Sequence, residues 1–108
     1  MYAKFERELV ESIIPFAESE FRVRGDRLGR AIAGFSRGGG QSLFAAFSNL
    51  DKFAWIGSYS AYLTPQAMDA YFKDALSSEE FKPKLLWFGV GKGDFLYRDV
   101  VKNLKYFD

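Results

Sequence analysis

A serine flanked by glycines, in the stretch Gly34-Phe35-Ser36-Arg37-Gly38, has the clearest chemical potential in this sequence. Gly-x-Ser-x-Gly is typical of a nucleophile elbow, in which a serine takes a strained backbone conformation at a sharp turn between a strand and a helix. We expect Gly34 and Gly38 to remove side chains that would clash at this turn. The turn would place the hydroxyl of Ser36 at a helix N-terminus, where the N–H of Arg37 would donate a hydrogen bond to an oxyanion. The pattern therefore predicts that Ser36 is a nucleophile.

Two nucleotide-binding motifs are alternative interpretations of the glycine-rich stretch. A P-loop ends in Gly-Lys-Ser/Thr, but Gln41 stands where the lysine is needed. A dinucleotide fingerprint requires G-x-G-x-x-G, and neither Gly34 nor Gly38 begins one. These mismatches disfavour a nucleotide-binding domain. One plainer alternative stays open, in which Ser36 only caps the helix that follows it.

Short apolar segments predict the strands. The first is Ala31-Ile32-Ala33, whose composition suits a strand covered on both faces by helices. A second is expected at about 54–59, and a third at 84–90, a continuous apolar run that should also be buried.

Helical spacing of apolar residues predicts the elements between the strands. The first helical stretch, residues 2–21, contains Pro15, which removes a backbone donor and should produce a kink or two abutting pieces. Strands that alternate with helices imply a parallel sheet. We therefore predict an α/β fold with about three parallel strands flanked by helices, in a single domain spanning residues 1–108. The other predicted features are a helix after the elbow through Leu50, a helix from Pro65 to about Leu76 with Thr64 as its N-cap, a capping box at Ser77-x-x-Glu80 and a helix over 96–107.

An acidic residue follows the third predicted strand. Active sites of open parallel sheets lie beyond the carboxyl ends of the strands, so Asp94 should lie at the same edge of the sheet as Ser36. The stretch Gly91-Lys92-Gly93-Asp94 also favours a turn, which is an alternative reason for an aspartate there. Asp99 is a second candidate acid, although the start of the next helix suits an acidic side chain in any case.

Three stretches together resemble the esterase D type of α/β-hydrolase, a group that includes feruloyl, acetylxylan and enterochelin esterases. They are Asp26 to Leu43, Asn49 to Ala54 and Trp87 to Asp94. The resemblance extends over almost the whole chain and implies a partial α/β-hydrolase fold with the elbow after the first strand.

The resemblance also implies a function. Ser36 would attack an ester carbonyl, and Asp94 would orient a catalytic histidine. The substrate would be a small-molecule or carbohydrate-linked ester. Arg37 departs from the family pattern, in which methionine is usual, but its backbone donor survives the change.

Composition limits what the chain can do by itself. Its 108 residues contain no histidine and no cysteine, so the proton acceptor that a serine nucleophile needs is missing and thiol chemistry is excluded. A whole α/β-hydrolase usually needs about twice this length. The resemblance implies that the histidine and a second oxyanion donor come from segments outside this sequence. We therefore expect an esterase core fragment; the alternative is a catalytically inactive assembly or ligand-binding domain derived from an esterase.

The net charge and the hydropathy of the chain indicate which kinds of partner to expect. A formal net charge of +1 gives no reason to expect nucleic acid, and no apolar run is long enough for a membrane. We expect no cofactor and no metal site. The first strand should lack a neighbour on one edge, which predicts a homodimer or higher homo-oligomer that covers it. Whether Tyr62, Phe95 and Tyr97 line a substrate cleft or the core stays open.

Overall fold

A helical stretch precedes the sheet in the computed structural model, which describes residues 2–77 and 82–107. The stretch consists of α1 (Tyr2–Glu8), a π-helical turn (Leu9–Ile13) and α2 (Ile14–Glu20). In the π-turn the N–H of Ile14 donates to the carbonyl of Leu9. The turn ends two residues before Pro15, whose missing N–H interrupts the ordinary helical pattern. Of the two predicted alternatives, a kink or two abutting helical pieces, the structure shows two α-helical pieces that this turn joins.

Three parallel strands form one sheet in the order β1-β2-β3. They are β1 (Ala31–Phe35), β2 (Trp55–Tyr59) and β3 (Leu85–Gly89). Parallel pairing brings all three carboxyl ends to one edge of the sheet, as the sequence predicted. We call this the carboxyl edge.

Helices follow each strand. They are α3 (Arg37–Phe47), α4 (Pro65–Ser77) and α5 (Tyr97–Asn103), and short 3₁₀ turns span Arg27–Gly29 and Leu104–Phe107. The start of α4 is the predicted one, because the N–H of Ala67 donates to Thr64 Oγ1 at 3.2 Å. The predicted capping box at Ser77 to Glu80 lies outside the described residues.

Within residues 2–77 and 82–107, only one face of the sheet is covered, which corrects the prediction of strands buried on both faces. The covered face carries alternate residues of each strand, among them Ile56, which is 2% exposed. The opposite face carries the other alternate residues, because side chains point to opposite sides along a strand. We call it the open face; its large side chains are 39–72% exposed and belong to Phe35, Trp55, Tyr59, Leu85 and Trp87.

The core is built around α3, which packs on the covered face of the sheet and contacts α1 and α4 on its other sides. Leu43 and Met68 are fully buried, and Phe72 is 1% exposed. The ring of Phe72 packs against those of Phe47 and Phe44, with centroids 5.5 and 6.4 Å apart. Such aromatic pairs stabilise the core beyond the area they bury. This packing fixes α3, and with it the turn at its N-terminus.

Among the described residues, no helix is long and apolar enough to cross a membrane. The same part of the chain has no cluster of metal-ligating side chains that could hold an ion.

Candidate active site

Ser36 occupies a strained turn between β1 and α3. Its φ is 59° and its ψ is −117°. Within the described part of the chain, only Ser36 and Ser60 are non-glycine residues with positive φ, a region that side chains disfavour. Although Ser36 is in the N-cap position of α3, its side chain makes no capping hydrogen bond. The alternative in which Ser36 serves as a helix cap is therefore contradicted.

Backbone hydrogen bonds hold the strained turn in place. The N–H of Ser36 donates to the carbonyl of Tyr59 at 2.8 Å, which continues the ladder between β1 and β2. The carbonyl of Ser36 accepts from the N–H groups of Gly39 at 3.0 Å and Tyr62 at 2.9 Å. A strained backbone conformation persists where several surrounding hydrogen bonds hold it in place. The half-buried Ser36 is fixed from both sides in this way.

Gly34 is required by its surroundings, as predicted. A Cβ at this position would lie 2.1 Å from the carbonyl oxygen of Gly38 and 2.6 Å from Ser42 Oγ. The prediction for Gly38 is wrong, because a Cβ there would meet no atom within 4 Å. The close approach at this turn is between the backbone of Gly38 and the α-carbon of Gly34. It therefore restricts residue 34 and leaves open space beside residue 38.

Two further glycines pack closely against their surroundings, and the sequence motif includes neither of them. A Cβ on Gly39 would lie 3.0 Å from Ser58 Oγ, and one on Gly40 would lie 2.7 Å from both the Tyr62 carbonyl oxygen and Tyr2 Oη. These glycines let the first turn of α3 approach β2 and the segment after it. A signal was present, since each glycine inside a helix costs about 1 kcal/mol relative to alanine, and consecutive helical glycines therefore indicate close packing.

Arg37 is the first residue of α3, and its side chain is exposed. Its backbone N–H belongs to the first helical turn, whose donors have no acceptor within the helix. This N–H follows Ser36 directly, at the positive end of the helix dipole. The position suits the predicted oxyanion donor, which stays a prediction.

Asp94 lies in a turn beyond β3 at the carboxyl edge. Its N–H donates to Gly91 and its carbonyl accepts from Tyr97, both at 3.0 Å. Its Oδ1 accepts from the N–H of Leu96 at 2.8 Å. The Leu96 hydrogen bond first, and one from the Ser60 side chain second, hold the pKa of Asp94 below its usual value. Asp94 is therefore an ionised carboxylate at neutral pH.

Ser36 and Asp94 follow the two outer strands of the sheet, and the end of β2 lies between them. Neighbouring strands are about 4.8 Å apart, so β1 and β3 are separated by about 10 Å. This separation between the two strand ends exceeds direct hydrogen-bond reach. Asp99 is in the first turn of α5, the position in which a helix dipole favours an acid.

Aromatic side chains surround this edge. Phe95 is 86% exposed and Tyr62 is 50% exposed, whereas Tyr97 is half-buried. Tyr62 and Phe95 therefore lie on the surface rather than in the core.

A separate groove of about 320 Å³ lies between α2 and the beginning of β1. Its lining includes Ile14, Ile32 and Phe53, with the Arg30–Glu18 ion pair beside them. Ser36 follows the other end of β1, so this groove is not part of the candidate active site.

Comparisons with known proteins indicate the family and the fold of the chain. A family model described as Esterase matches residues 2–105. The crystal structure of S-formylglutathione hydrolase (FrmB) from Staphylococcus aureus, as apoenzyme, is similar with a TM-score of 0.80 and 26% sequence identity. The match covers 97% of this chain and 48% of that protein. The chain thus spans about half the length of this solved structure.

Proposed function

The chain belongs to the Esterase family, and on that premise we propose that it is the nucleophile-bearing core of a serine carboxylic-ester hydrolase. The observation that supports this proposal most strongly is the backbone of Ser36, held at φ 59° without a capping bond from its side chain. Strain of this kind is maintained where it positions a reacting group. A nucleophile elbow accounts for it, and helix capping does not.

The proposed reaction is acyl transfer. Ser36 Oγ attacks the ester carbonyl and forms a tetrahedral intermediate. The negatively charged oxygen of this intermediate accepts a hydrogen bond from the N–H of Arg37. Expulsion of the alcohol leaves an acyl group on Ser36, which water then releases as the acid. The first step requires a base for the Ser36 proton, and the second requires that base to activate water.

The sequence contains no histidine to act as that base. We propose that Asp94 orients a base supplied from outside these 108 residues, at the carboxyl edge of the sheet. The low pKa of Asp94 keeps its carboxylate charged, as that role requires. Without the base, most of the rate should be lost, because members of a triad act as a unit.

The proposed substrate is a small-molecule or carbohydrate-linked carboxylic ester. The structural relative is named for S-formylglutathione, a thioester, and a thioester carbonyl is open to the same serine attack. The assay should therefore include both a carboxylic ester and a thioester.

The test is hydrolysis of p-nitrophenyl acetate and S-formylglutathione with imidazole added as an external base. We expect a rate above that of imidazole alone, and we expect Ser36→Ala to remove the excess. Ser48→Ala is a matched control, since Ser48 is an exposed serine at the other end of α3. Equal rates for the unaltered chain and Ser36→Ala would contradict the proposal. They would favour the alternative of an inactive assembly or ligand-binding domain, which the missing histidine also suits.

A further inference from the structure

Tyr2 carries a buried phenol that the proposed reaction does not use. It is the first residue of α1, distant in sequence from Ser36, and it is 9% exposed. Its ring packs against that of Phe44 in α3, with centroids 6.1 Å apart. A buried tyrosine hydroxyl usually has a hydrogen-bond partner, because leaving it without one costs free energy. The partner of this hydroxyl shows what Tyr2 does beyond packing.

That partner is the backbone of Tyr62, in the segment between β2 and α4. Tyr2 Oη donates a hydrogen bond to the carbonyl of Tyr62. The N–H of Tyr62 donates in turn to the carbonyl of Ser36 at 2.9 Å. Both polar backbone groups of Tyr62 are therefore engaged, one by α1 and the other by the strained turn. A single residue thus connects the Tyr2 hydroxyl to the backbone of Ser36.

Gly40 makes room for the hydrogen bond between Tyr2 and Tyr62. A Cβ at position 40 would lie 2.7 Å from each of the two oxygen atoms that this bond joins. Side chains do not approach other atoms so closely, so a larger residue at position 40 would displace one of these oxygens. Glycine is an unfavourable residue within a helix. Its presence in the first turn of α3 therefore keeps this bond possible at a cost to the helix.

We propose that Tyr2 is a positioning residue for the nucleophile, whose hydroxyl holds Tyr62 where its N–H bonds the carbonyl of Ser36. The inference rests on the proposed function, in which Ser36 attacks the ester. The N–H of Ser36 is held by Tyr59 at 2.8 Å and its carbonyl by Tyr62. These two bonds help to set the φ and ψ of a residue that would otherwise relax from its strained conformation. Tyr2 acts through Tyr62 and takes no part in the chemical steps.

Hydrogen exchange of the Tyr62 N–H, followed by NMR in the full chain, tests this connection. Tyr2→Phe removes the hydroxyl and keeps the ring against Phe44, so the variant should fold. We expect exchange of this amide to become about fivefold faster relative to the amides of α3, the factor that corresponds to one ordinary hydrogen bond. A general loss of stability would instead accelerate exchange at all of these amides alike.

Labelling of Ser36 by a fluorophosphonate tests the effect on the nucleophile. The labelling rate, measured where circular dichroism shows the variant to be folded, should fall about fivefold in Tyr2→Phe. Asn103→Ala is the matched control, because the buried Asn103 Nδ2 donates to the carbonyl of Leu63 at 2.8 Å, one residue along the same segment. This variant should lose stability without changing the relative exchange rate or the labelling rate.

The proposal is overturned if either rate is unchanged in Tyr2→Phe, or if Asn103→Ala changes both rates equally. Failure of the proposed function has a different signature. Ser36 would then be unlabelled in the unaltered chain, while exchange of the Tyr62 N–H would still respond to Tyr2→Phe.

Discussion

At the residue scale, the glycines around Ser36 differ in what they do, although the sequence motif treats two of them alike. Gly34 faces the backbone of Gly38 across the turn, whereas Gly38 faces open space. The motif correctly located the strained serine because strand, turn and helix follow one another along the chain. It failed for Gly38, and missed Gly39 and Gly40, because those roles depend on atoms brought close by folding.

We predict that Gly34→Ala destabilises the chain by about 3 kcal/mol, since the added methyl would overlap backbone that cannot move freely. Gly38→Ala is the matched comparison and should be neutral or stabilising by up to about 1 kcal/mol, because alanine is the better helix former. Urea unfolding followed by circular dichroism measures both. Equal losses in the two variants would contradict the packing described around Ser36.

The carboxylate of Asp94 predicts a pH dependence. Because hydrogen bonds lower its pKa in the folded chain below the ordinary 3.8, the ionised group stabilises the fold above that pH. The contribution is lost as the pH falls through the lower, folded-state pKa. Asp94→Asn should therefore be less stable than the unaltered chain near neutral pH, and the difference should shrink in acid. Urea unfolding of both proteins near neutral pH and in acid measures this difference in stability. A difference that did not change with pH would contradict a lowered pKa for Asp94.

At the element scale, the order of strands and helices was predictable because each has its own apolar periodicity and its own end signals. The start of α4 at Thr64-Pro65 is an example in which local chemistry alone determines the boundary. The coverage of the sheet was not predictable in this way. An apolar strand such as β3 has the same composition whether one face or both are covered within the chain, so the open face became visible only in the structure.

The N-cap of α4 allows a direct prediction at this scale. Thr64→Ala should cost about 1 kcal/mol, because the N–H of Ala67 loses its hydroxyl acceptor at the end of the helix. Thr64→Ser keeps the acceptor and should cost much less. Thermal unfolding of the two variants provides the measurement, and an equal cost would show that the hydroxyl does not cap α4.

At the scale of the whole molecule, the first strand was predicted to lack a neighbour on one side. In the structure β1 is at an edge of the sheet, as that prediction requires. The predicted homo-oligomer stays a proposal, and the open face gives it a second candidate surface. The five large side chains of this face, 39–72% exposed, offer about 500 Å² per copy. Two copies packed face to face would bury about 1,000 Å², the minimum area expected of a biological interface. We propose that a second copy of this chain covers the open face.

Light scattering at micromolar concentration tests this assembly. The unaltered chain should be a dimer, and Trp87→Glu should convert it to a monomer by placing a charge on the open face. Val101→Glu is the control, because Val101 is a comparably exposed apolar residue on α5. A monomeric unaltered chain would contradict any homo-oligomer. A dimer that persists in Trp87→Glu would instead favour pairing along the β1 edge.

We propose that the turn between β1 and α3 presents Ser36 as a nucleophile. Labelling with a fluorophosphonate, followed by peptide mass spectrometry, tests it most directly because the reagent marks activated serines whether or not turnover is complete. We predict one phosphonyl adduct, on Ser36, formed faster with added imidazole and absent from Ser36→Ala. An unlabelled Ser36, or adducts spread over exposed serines such as Ser48 at the same rate, would contradict it.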